Sequence, residues 1–117
     1  MDIGFKREDK WFRYRAAALL VHENRMLFVK SRYTDSYYSV GGGIRFGESS
    51  RDCAVRELYE ETGIKASADH LAAVCENFFI GQGGKIDGFL CHTVEHYYLM
   101  RLLEDGMRFE GSKDGNR

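Results

Sequence analysis

The sequence predicts an α/β fold, and three observations carry that reading. One segment, Ser49 to Thr62, has helical periodicity; the apolar segments around it are rich in β-branched and aromatic residues; and 117 residues suffice for one core but not for two ordinary domains. The chain is therefore read as a single domain over residues 1–117.

The elements follow in order. After a charged start, Arg13 to Val21 and Met26 to Ser31 read as two short strands joined by the polar turn His22-Glu23-Asn24-Arg25, a hairpin. Tyr37 to Val40 is a β-prone stub running into Gly41-Gly42-Gly43, read as a loop because glycine lets the backbone bend. Ser49, with Asp52 three residues on, opens the helix in a capping-box arrangement, and Gly63 closes it as a left-handed C′ residue. Leu71 to Ile80 and Cys91 to Leu103 form a second, longer hairpin linked by Gly81 to Gly88. Glu104 to Arg117, with three glycines and many charges, reads as a loop or tail.

Composition excludes several function classes. At 44% hydrophobic and 30% charged residues the chain is a folding sequence rather than a disordered one. Seventeen basic and 18 acidic residues leave a net charge of −1, so no global field draws it to nucleic acid or anionic lipid. Its longest apolar run, Ala16 to Val21, is too short for a membrane span or a signal peptide, and a cytoplasmic location is expected. Cys53, Cys75 and Cys91 read as reduced thiols, an odd set without paired spacing.

The chemistry concentrates on the helix. At about 100° per residue, Ala54, Val55, Leu58 and Thr62 share one side while Glu57, Glu60 and Glu61 share another. Like charges three and four residues apart cost a helix roughly 0.2–0.5 kcal/mol per pair, so something should compensate them. A divalent cation such as Mg²⁺, which takes carboxylate oxygens and shares itself with substrate phosphates, is the natural candidate. Arg56 beside them is placed to orient the carboxylates through charge-assisted hydrogen bonds.

These residues belong to a longer frame, Gly42-x5-Glu48-x7-Arg56-Glu57-Leu58-x-Glu60-Glu61-x-Gly63-Ile64. It resembles a complete Nudix box, the signature of hydrolases acting on nucleoside diphosphates linked to another moiety. The resemblance implies an α/β/α sandwich with a mixed sheet, the box helix packed on it. It implies Glu57, Glu60 and Glu61 as main ligands of Mg²⁺ or Mn²⁺, the carbonyl of Gly41 as a further one, and Glu48 as a secondary ligand or partner of Arg56. Glu57, Glu60 and Arg56 form the expected catalytic set, and Tyr38, Gly42 and Gly43 the expected substrate contacts. Glu57 is the first choice of general base, with Glu95 and Glu110 behind it. The implied function is metal-assisted hydrolysis of a diphosphate linkage in a nucleoside triphosphate, nucleotide sugar, ADP-ribose or dinucleoside polyphosphate. The alternative is a non-catalytic nucleotide sensor on the same fold. The strand and second helix that family members place after the long hairpin are not evident here, and an uncovered sheet face favours a homodimer.

Two other motifs are set aside. His92-Thr93-Val94-Glu95-His96 fits the inverted zinc-protease pattern, but its neighbours indicate a strand, on which residues four apart lie about 13 Å from each other. Gly81-Gln82-Gly83-Gly84-Lys85 lacks phosphate-loop spacing and reads as a flexible hairpin loop. Phe78 and Phe79, like Tyr37 and Tyr38, are aromatic candidates for stacking on a base.

Overall fold

The computed structural model describes residues 1–30 and 37–103, with residues 22, 28–30, 37 and 38 described by their backbone alone. Its spine is β2 (Lys10–Leu19), ten residues whose alternation separates small apolar side chains from charged ones. On one edge β2 pairs antiparallel first with β1 (Gly4–Arg7) and then, from Arg15 to Ala18, with β6 (Tyr37–Gly43). Along its other edge it pairs parallel with β8 (Leu90–Leu102), from Lys10↔Leu90 to Leu19↔Leu99. The outer strands β5 (Phe28–Lys30) and β7 (Ala66–Ile80) complete a six-stranded mixed sheet.

The first expected hairpin forms only at its tip. There β3 (Val21–His22) and β4 (Arg25–Met26) pair around Glu23 and Asn24, both with positive φ, as a two-residue hairpin turn requires. The rest of Met26 to Ser31 does not return along β2: β5 pairs with β6, because β2's edge is already filled by β6. The glycine run is likewise strand rather than loop, with Gly41, Gly42 and Gly43 opposite Ala17, Ala16 and Arg15. What suits glycine here is crowding. A Cβ on Gly41 would come within 2.8 Å of Ala17 Cα, and one on Gly42 within 2.5 Å of Glu57 Oε1.

The helix α1 (Ser50–Thr62) forms where the sequence places it. Ser49 caps it, its hydroxyl accepting from the Asp52 amide at 3.0 Å, and Gly63 ends it at φ 77°, its amide donating to Tyr59 O at 2.8 Å. Its apolar side, Cys53, Ala54 and Leu58, is buried against Ala16, Ala18, Leu20, Val40, Tyr98 and Met100. Ile64 joins that core. Ser50 and Tyr98 hydroxyls share a 2.7 Å hydrogen bond across the interface.

The long hairpin is present, β7 beginning five residues earlier than expected, with a 3₁₀ turn at Gly84–Ile86 in its loop. Among the described residues α1 is the one α-helix, and none is long and apolar enough to cross a membrane. Residues 104–117, the expected tail, lie outside the described residues.

Candidate active site

Helix α1 carries its acidic side to the end of β6, and Arg56 lies at the centre of what gathers there. Its guanidinium donates to both oxygens of Glu48, from Nε at 2.7 Å and Nη2 at 2.9 Å. Nη1 donates to Glu57 Oε2 at 2.7 Å and Glu60 Oε1 at 3.2 Å, and Nη2 also donates to the Gly43 carbonyl at 3.1 Å. Arg56, Glu48 and Glu57 are each about five-sixths buried, whereas Glu60 is 47% exposed. In such shelter a forked cation and its carboxylates reinforce one another. The hydrogen bond from Arg56 pulls Glu48 down from the usual 4.5 to about 2, helped by the Arg45 amide at 3.1 Å. The same partners hold Arg56 well above its ordinary value.

Glu61 behaves in the opposite way. Burial, and then the hydrogen bond and negative charge of Glu57, push its carboxyl up to about 8, while Arg15 and the Gly41 amide pull it back. At neutral pH the Glu61 carboxyl is thus held in its protonated form beside Glu57. Cys53, beneath this cluster, donates toward the Gly42 and Gly43 carbonyls, and burial pushes its thiol up to about 12, so it is inert packing.

The described residues contain no group of three or more His, Cys, Asp or Glu side chains converged on one metal position. Arg56 supplies the countercharge for Glu48, Glu57 and Glu60. The donor set nonetheless suits a hard divalent cation: two hydrogen-bonded carboxyls beside a glycine strand, with Glu57 filling the space that a Gly42 side chain would take. The corresponding space beside Gly43 is taken by the Asp2 carboxylate. The Tyr38 side chain and Glu110 lie outside what is described.

On the sheet face away from the core, a cavity of about 780 Å³ opens beside Glu61 and Gly41. Arg13, Arg15 and Glu95 line it, with Phe79 and Tyr97 as its aromatic surfaces. Glu95 is 9% exposed and binds Arg15 Nε at 3.1 Å, the register partner beside it on β2. Burial, then Glu95 and Cys75, raise the Tyr97 hydroxyl above its ordinary value. Sequence reasoning singled out Glu95 but passed over Arg13 and Arg15. The available signal was two arginines two positions apart inside an otherwise apolar strand, which must share one face. His92 and His96 stand on the opposite face from Glu95, His92 packed on Phe12 and Phe78 and His96 on Tyr14, so the zinc pattern is dispersed.

Comparison with known proteins concerns the family and the fold. The family model of the NUDIX domain matches residues 11–115. Diphosphoinositol polyphosphate phosphohydrolase 2 of Homo sapiens is 40% identical over 70 residues, 56% of this chain and 39% of that protein. Diphosphoinositol polyphosphate phosphohydrolase 3-alpha of Mus musculus is 39% identical over 73 residues, 59% of this chain and 44% of that protein. The aligned part thus spans about two fifths of the length of these relatives. Among solved structures, a MutT NUDIX hydrolase from Burkholderia pseudomallei superposes with a TM-score of 0.60 at 23% identity, covering 80% of this chain and 74% of that one. A MutT protein from Methanosarcina mazei Go1 gives 0.60 at 18% identity, covering 82% and 72%. Sheet, capped acidic helix and the match over nearly the whole chain lead to one conclusion: this chain belongs to the NUDIX domain family.

Proposed function

We propose that this protein hydrolyses a phosphoric anhydride bond in a phosphorylated small molecule, with Mg²⁺ or Mn²⁺ as its cofactor. The observation that carries the reading is the Glu57–Glu61 carboxyl pair, two hydrogen-bonded acids held in shelter where a doubly charged ion would serve both groups better. A bound cation there would neutralise charge on the diphosphate and acidify an attacking water. Glu57, Glu61 and Glu60 would hold it, with the Gly41 carbonyl beside them and Glu48 as a further carboxylate. Arg56 fixes the rotamers of Glu48 and Glu57, so that they need no reorganisation when ligand arrives. Glu57 is the proposed base, held in place by Arg56 beside Glu61; Glu95 is tied to Arg15 and positions it.

The substrate expected from the box is a nucleoside diphosphate derivative, and the aromatic walls Phe79 and Tyr97 support a base-bearing ligand. A second reading, a diphosphate on a heavily phosphorylated carrier, is supported by the half-buried pair Arg13 and Arg15 and by the names of the sequence relatives. A panel of both substrate types, read out as released phosphate or mononucleotide in Mg²⁺, tests the proposal. Glu57→Gln and Glu60→Gln should abolish turnover on whichever substrate is cleaved while leaving the circular dichroism spectrum intact. Unchanged turnover in either variant refutes it, and tight nucleotide binding without hydrolysis in saturating Mg²⁺ replaces it with the sensor.

A further inference from the structure

We infer that Arg13 and Lys85 form an anion subsite in the cavity, outside the Nudix box, that receives a phosphate carried by the substrate beyond its scissile diphosphate. The inference rests on the hydrolase reading above and names its specificity-determining side chains. Among the described residues three cations line the cavity, Arg13, Arg15 and Lys85, against two carboxylates, Glu61 and Glu95. Glu95 is committed to Arg15 and Glu61 to Glu57. Among the described residues neither Arg13 nor Lys85 has a carboxylate in ion-pair contact; Arg13 lies over the Trp11 ring at 5.1 Å. Burial and the like charge of Arg15 work against the Arg13 cation more strongly than Cys91, Glu95 and Asp2 work in its favour. A phosphate oxygen would relieve both penalties at once.

Lys85 is carried to the same cavity by the loop whose glycines had suggested a phosphate loop. That loop is closed on itself: the Gly81 amide donates to Phe89 O at 2.8 Å, the Gly88 amide to Gly81 O at 3.0 Å, and the Gly83 amide to Asp87 Oδ1 at 2.8 Å. Asp87, the nearest acid in sequence, is thereby occupied within the loop. Phe89 packs edge-on against Trp11, with centroids 5.4 Å apart, and Trp11 underlies Arg13. One aromatic contact therefore fixes the loop with Lys85 relative to the strand with Arg13. Such a subsite serves a carrier bearing its own phosphates and does little for one ending in an uncharged sugar.

The test uses the whole chain. Calorimetry with inositol hexakisphosphate, without metal, should give binding that Lys85→Ala and Arg13→Gln each weaken about tenfold, as loss of one charged contact implies. Arg13→Lys should recover part of the loss. In turnover, both variants should raise KM for a diphosphoinositol polyphosphate about tenfold with kcat changed less than about twofold, and leave KM for ADP-ribose nearly unchanged. Lys10→Ala, an exposed residue paired with Asp9, is the control for bulk charge. Absence of inositol hexakisphosphate binding in the wild type, or equal effects on the two substrates, overturns the subsite. Binding that depends on Arg13 and Lys85 without hydrolysis of anything retains the subsite and removes the hydrolase; turnover with unaltered KM does the reverse.

Discussion

At the scale of single residues, Gly42 shows how the backbone and the proposed base share one space. A methyl group there would meet the Glu57 carboxylate, all three of whose terminal atoms lie closer than a Cβ contact permits. Gly42→Ala should therefore displace Glu57 and lower kcat by about a hundredfold, the scale of loss when a catalytic group is misplaced by about 1 Å. Steady-state assays alongside thermal melts check this. Glu61 offers a prediction in pH. With its carboxyl at about 8, it is protonated below that value, and a cation must expel the proton to use it. Mg²⁺ affinity should rise with pH up to about 8 and level off above. Titration calorimetry in buffers of different ionisation enthalpy should show a proton released per ion near neutrality, and none in Glu61→Gln. The glycines were the least legible residues in the sequence. Weak strand propensity argued for a loop, whereas the deciding factor is the approach of a helix side chain fifteen positions further on: only the packed fold brings Glu57 onto Gly42.

At the scale of elements, α1 was legible because its signals are local. Cap, apolar side, acidic side and terminating glycine all lie within Ser49 to Gly63. Ser49→Ala should cost about 1 kcal/mol, the usual worth of an N-cap, measured by urea denaturation. Leu58→Ala, which empties a wholly buried position, should cost about 2–5 kcal/mol. The loop before the helix is tied down by Glu48 and Arg56, and this too is readable in pH. Glu48 is pulled from 4.5 to about 2, first by Arg56. Its stabilising contribution is thus complete above about 4.5 and is lost as pH falls toward about 2. Denaturation midpoints followed through that window should fall less steeply in Glu48→Gln than in the wild type. The apolar strands were also legible, but β1 in the charged start and the glycine end of β6 were not, nor were partners: β5 chooses β6 over β2, a competition settled by which edge of β2 is already taken.

At the scale of the whole molecule, the acidic box was legible because its spacing is contiguous, whereas the cavity was not, because β2, β7 and β8 build it from opposite ends of the chain. The homodimer expected from the sequence belongs to this scale. Strand β7 lies at the sheet edge and exposes Leu71, Val74, Phe78 and Ile80, an apolar surface suited to a second copy. Light scattering should return twice the mass of one chain, reduced to a single mass by Val74→Lys with Phe78→Lys; a single mass in the wild type refutes the expectation.

The parallel ladder between β2 and β8 joins residues a constant 80 positions apart along its entire length. No short-range closure can assemble it, so loop entropy must be overcome before the central pairing contributes anything. During synthesis, β2 leaves the ribosome long before its neighbour exists. The edge that β8 will fill stays open meanwhile to chaperones or to another nascent chain. Slow, late-committing folding follows, with β8 acting as the keystone.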